Sequence, residues 1–155
     1  MSTDGSPRSS SFVLAALGAV VFVSLIITGD AITSVLTGTD VIEVAGASPL
    51  VPVVAIGAAT VAWAIVVVRG IARRASIGTA TIAALLASAA YVAGLFVASL
   101  GSGIAAAAVV THIIMNGYVL VVLLAGVVTA AAIFALSRTS GDTPQWPWEH
   151  DSDDE

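Results

Sequence analysis

Between Arg74 and Arg138 lie 63 residues without a formal charge at neutral pH. As one helix they would run about 95 Å, some three times the roughly 30 Å hydrocarbon core of a bilayer. No soluble fold of this size hides so long an apolar run, and no single crossing accommodates it. The stretch therefore sits in lipid and folds back at least once.

Composition agrees with that solvent. The chain of 155 residues is 58% hydrophobic and 10% charged, where soluble domains carry about a quarter charged residues. A domain this small buries only about 70% of the surface of its unfolded chain, which leaves the apolar excess for lipid to cover. Five basic residues stand against ten acidic ones, and every basic residue is arginine, so no basic patch exists for nucleic acid. The absence of cysteine excludes disulfides, thiol catalysis, iron–sulfur clusters and cysteine-based zinc sites.

Turn residues divide the apolar sequence. From Ser9 to Gly29 no charge occurs, and those 21 residues are long enough to cross. Ser48 and Pro49 open a second uncharged run, as a cap residue followed by the proline tolerated in a first helical turn. Gly101-Ser102-Gly103 is the best breakpoint in the long stretch, and Asn116-Gly117 is the next. These signals predict spans at 11–29, 50–68, 76–100 and 117–137, an all-α antiparallel four-helix bundle in a membrane. Residues 104–115 are then either an interfacial helix or a tilted continuation of the last span. Residues 1–10, polar and rich in small residues, and the acidic segment 138–155 are expected to be disordered tails around one domain at 11–137. Small residues at four-residue spacing, Ala15 with Ala19, Ala83 with Ala87, Ala90 with Gly94 and Ala98, and Gly126 with Ala130, offer faces for close helix approach.

Arg8, Arg69, Arg73, Arg74 and Arg138 all fall in segments that four alternating crossings put on one side. The excess of arginine marks that side as cytoplasmic, so both termini are expected in the cytoplasm, the membrane being a bacterial inner membrane, with the loop carrying Asp40 and Glu43 outside. A cleaved signal peptide is the alternative for the first span, although its apolar core from Phe12 to Thr28 is longer than the usual 7 to 15 residues or so.

No His-Glu-x-x-His, Gly-x-Ser-x-Gly or phosphate-binding glycine loop occurs, so the expectation is a protein without enzymatic activity, cofactor or metal. His150, Asp151, Asp153, Asp154 and Glu155 lack the spacing of a calcium loop and suit a solvated tail. Asp30 is the one acidic residue abutting a span. Counting along the helix places it near the outer interface, where water can solvate it. His112 and Asn116 share a helix face at four-residue spacing and come to the same level, so Asp30, His112 and Asn116 form a candidate polar cluster. The other candidate is the tail segment Trp146, Pro147, Trp148 and Glu149, whose aromatics suit either the headgroup region or a partner's groove.

The four-span layout, the acidic first loop, the Arg-Arg inner loop and the Trp146-Pro147-Trp148-Glu149 motif resemble an uncharacterised family, a domain of unknown function, of small actinobacterial membrane proteins. That resemblance implies no activity. The expectation is a non-enzymatic inner-membrane accessory or interaction protein, embedded in the lipid bilayer and engaging a cytoplasmic or membrane partner through its tail. The alternative is a subunit of a small homo-oligomeric transporter or channel, which requires a polar residue facing a pathway.

Overall fold

The computed structural model describes residues 7–42, 48–73 and 76–139. Among them the chain forms five helices: α1 (Pro7–Thr37), α2 (Leu50–Ala72), α3 (Ile77–Gly101), α4 (Ala106–Met115) and α5 (Tyr118–Thr139). Four are long and apolar enough to cross a membrane, over Phe12–Thr37, Leu50–Ala72, Ile77–Gly101 and Tyr118–Arg138. They pack as an antiparallel bundle, in which α2 lies against α3, α3 against α5, α5 against α1, and α1 against α2. No Cα of α1 approaches α3, so these two helices stand diagonally across the bundle axis.

Two boundaries differ from the sequence-based expectation. Pro7 opens α1, at the position where a helix needs no N–H donor, so residues 7–10 belong to the first helix and not to a tail. The same helix continues past Gly29 to Thr37, because Asp30 is followed by a further apolar stretch. It stops at Gly38, whose φ of 66° is left-handed and whose N–H bonds to Ser34 O at 2.9 Å, a helix-ending geometry that glycine adopts without steric cost. At the other uncertain region, Gly117 takes a φ of 80° and separates α4 from α5. Residues 104–115 thus contain a distinct short helix.

Close helix approach rests on small residues, as expected in lipid, where no hydrophobic force drives helices together. A Cβ on Gly94 would lie 2.9 Å from Ala55 Cα on α2, and one on Gly126 would lie 2.9 Å from Ala84 Cα on α3. Gly18 faces Trp63, and Gly29 faces the Val121 side chain. Between these contacts one belt of large side chains fills the bundle. Phe22 stacks on Trp63 at 5.2 Å between ring centroids, and both are fully buried. The indole Nε1 of Trp63 donates to Gly126 O at 3.2 Å, which gives its one polar group a partner.

Candidate functional site

Alternating helices put α1's start, α2's end, α3's start and α5's end at one end of the bundle. Arg69 and Arg138 lie in the last turns of their helices there. The polar residues of interest gather at the opposite end, where α4 packs against α3 and α5.

There the connection after α1 is held by a latch built from α4 and α5. His112 sits four residues before Asn116, the residue that ends α4. The Asn116 amide donates to His112 O at 2.9 Å and reaches His112 Nδ1 at 3.2 Å. With Nδ1 accepting, the ring proton belongs on Nε2, and Nε2 lies 2.9 Å from the Asp40 carbonyl oxygen. Every contact in this chain is satisfied by that one tautomer. Alongside, the Tyr118 hydroxyl donates to Thr39 O at 2.7 Å, and the His112 and Tyr118 rings stack with centroids 6.3 Å apart. Two consecutive carbonyls that no helix uses thus receive side-chain donors from two different elements, which satisfies backbone groups otherwise left over at a loop.

His112 and Asn116 are therefore joined, and Asp30 is not joined to them. The reason is depth. Since α1 runs on to Thr37, Asp30 lies about seven residues, or about 10 Å, below its end, while His112 meets the connection beyond that end. Asp30 is also 7% exposed, not the hydrated interfacial side chain its position in the sequence suggested. Its Oδ1 is buried with no hydrogen-bond partner.

The buried polar residue that helix register brings to the level of Asp30 is Tyr91, a residue that no sequence motif singled out. Tyr91 is fully buried on α3, and its hydroxyl likewise lacks a hydrogen-bond partner. Helix register explains the meeting. Starting from the belt of Phe22, Ala84 and Gly126, about eight residues along α1 reach Asp30. About seven along α3 reach Tyr91, and about eight back along α5 reach Tyr118, all some 10–12 Å toward the same end. At that level α2 contributes Ala55 and Ala59, both buried.

No group of three or more His, Cys, Asp or Glu residues suited to a metal ion occurs among the described residues. A shallow apolar groove of about 570 Å³ runs outside the bundle between α3, α4 and α5, lined by Ser88, Ala93, Phe96, Val110 and Val119 among others. It offers no titratable group. The tail candidates Trp146, Pro147, Trp148 and Glu149 lie outside the described residues.

Comparison with known proteins adds one finding. A family of unknown function, DUF6121, matches residues 5–155. The chain belongs to that family. Its match extends over the bundle and the C-terminal segment alike, so family membership is a property of the whole chain. No curated protein and no solved structure matches it.

Proposed function

We propose that this multi-pass membrane protein is a non-enzymatic accessory or interaction protein of a bacterial inner membrane, with both termini in the cytoplasm and a partner engaged through Trp146, Pro147, Trp148 and Glu149. The observation that carries this reading is the closed centre of the bundle. Phe22 of α1 stacks on Trp63 of α2 in the buried interior, and α3 and α5 meet through Ala84 and Gly126 with no space for a Cβ. Packing of this kind in the middle of the bundle supports a reading without an aqueous passage through a single chain. Its exposed side chains along the spans are large and apolar, including Val20, Val61, Val97 and Leu124, a surface that suits lipid or other membrane helices. The actinobacterial source is part of the same proposal and rests on the resemblance of the tail motif and on an arginine-only basic composition.

A second reading, a subunit of a small oligomeric transporter or channel, is favoured by one observation, the uncompensated Asp30 within a span. Affinity purification from native membranes distinguishes the two. With Trp146 and Trp148 changed to Ala, insertion should be unaffected and co-purifying proteins should be lost. An unchanged set of partners would overturn the tail's role. Ion or solute flux through vesicles containing the purified chain alone would replace the accessory reading by the transport one.

A further inference from the structure

Asp30 Oδ1, Ser88 Oγ, the Tyr91 hydroxyl and Ser99 Oγ are buried without hydrogen-bond partners among the described residues, and of these side chains Asp30 and Tyr91 are the two that titrate. Asp30 belongs to α1 and Tyr91 to α3, and between those helices there is no backbone contact. Both side chains are buried within the bundle, at a level that helix rise also gives to Ala55 of α2 and Tyr118 of α5. The Tyr118 hydroxyl proton is committed to Thr39 O, but its oxygen keeps lone pairs. Asp30 is in no ion pair among the described residues, and Arg69, Arg73 and Arg138 all lie at the far end. The Tyr91 hydroxyl, which could donate to a carboxylate, makes no hydrogen bond to it.

A carboxylate in such a place needs a positive charge, and an unpartnered buried group of either kind is expensive. We propose that Asp30 and Tyr91 form an interior site for one small monovalent cation, either a proton or a sodium-sized ion, entering from the end where α4 lies. The carboxylate supplies the charge. The Tyr91 oxygen is the second ligand, or the acceptor of a hydrogen bond from the protonated carboxyl. The latch of His112, Asn116 and Tyr118 stands over the site, since it fixes Thr39 and Asp40, which follow Asp30 by about two and a half helical turns. The titratable or charged groups around the site are thus Tyr91 and Tyr118 below the latch and His112 and Asp40 at it. This inference does not depend on the tail or on any partner.

Equilibrium unfolding of the full chain in mixed micelles tests it, because a cation that binds only the folded protein stabilises it by mass action. Two titrations are compared, one of pH at constant choline chloride and one of sodium replacing choline at constant pH. Asp30→Asn keeps the shape of the side chain and removes its charge, so subtracting its behaviour removes the contribution of every other titrating group. The expected result is that the wild-type unfolding constant falls up to tenfold, relative to Asp30→Asn, for each tenfold rise in one of the two ions. Dependence on pH alone identifies the proton, and dependence on sodium identifies the metal ion. Tyr91→Phe should retain the dependence but shift it to higher cation concentration. Parallel curves for wild type and Asp30→Asn in both titrations would overturn the proposal, as would a Tyr91→Phe curve superimposed on the wild type.

Discussion

Substituting Gly94 by Ala tests whether contact between α2 and α3 is set by the missing side chain. The added Cβ would sit 2.9 Å from Ala55 Cα, 3.2 Å from Ala58 Cβ and 3.4 Å from Val54 O. Carbon atoms in favourable contact are separated by about 3.5–4.0 Å. The two helices must therefore part by about 0.6–1 Å, because the nearest obstacle is backbone and has no rotamer to change. Overpacking of this kind costs about 1–3 kcal/mol. Alanine regains about 1 kcal/mol of helix propensity over glycine, so the net destabilisation is about 0–2 kcal/mol. Gly57 on the same helix as Ala55 supplies the control. Nothing lies within 4 Å of a Cβ placed there, and Gly57→Ala should stabilise by the propensity gain alone. The two variants should then differ by about 1–3 kcal/mol, or about 5- to 150-fold in the unfolding constant. The assay is unfolding in mixed micelles followed by helicity. If Gly94→Ala proves as stable as Gly57→Ala, the close approach does not govern this interface.

Two further outcomes are expected. Tyr118→Phe removes the hydroxyl bonded to Thr39 O, and His112→Ala removes the donor to Asp40 O. Each should cost about 1 kcal/mol and raise the rate of proteolysis in the connection after α1, with the spans still helical, whereas unaltered cleavage in both would show that the latch holds nothing. Reporter fusions should place the C-terminus in the cytoplasm and the connection containing Asp40 outside, following the arginines, and an external C-terminus would contradict the assigned orientation.

The parts of this fold that were legible in the sequence are those punctuated by residues with a local effect on the backbone. Pro49, the Gly101 to Gly103 turn and Asn116-Gly117 each act on their own φ and ψ, so the start of α2, the end of α3 and the start of α5 fall close to where those residues predict. The small-residue strips were legible for a related reason, since Gly94 and Gly126 face neighbouring backbones and a glycine has only one way to pack closely. Tyr91 was not legible. A lone tyrosine in an alanine-rich span carries no spacing signal, and its meeting with Asp30 depends on the rotation of two helices that do not touch. The His112 and Asn116 pair could be read from its spacing, but its true partner is a backbone carbonyl, and a carbonyl leaves no mark on the sequence.

The placement of Asp30 follows from a rule about faces, not about run lengths. A charge after 21 uncharged residues resembles the end of a crossing, yet Ile32, Val35 and Leu36 are apolar and 55%, 83% and 80% exposed, as lipid-facing positions are. The helix therefore remains in the apolar layer for about two more turns. Over that length an ionisable side chain turned toward lipid would cost about 2.5–3.5 kcal/mol near the centre of the layer. Turned inward it joins Phe22 and Ile26, which precede it at four-residue intervals and are both fully buried. Rotating α1 to expose Asp30 to lipid would carry Phe22 away from Trp63 and Gly29 away from Val121. The packing of two aromatic rings and one glycine thus fixes the face on which the carboxylate lies. A carboxylate held inside the bundle by such contacts is tolerated only where the same interior can also compensate it, and Tyr91 is the one titratable side chain of the facing helix α3, with a hydroxyl that has no hydrogen-bond partner.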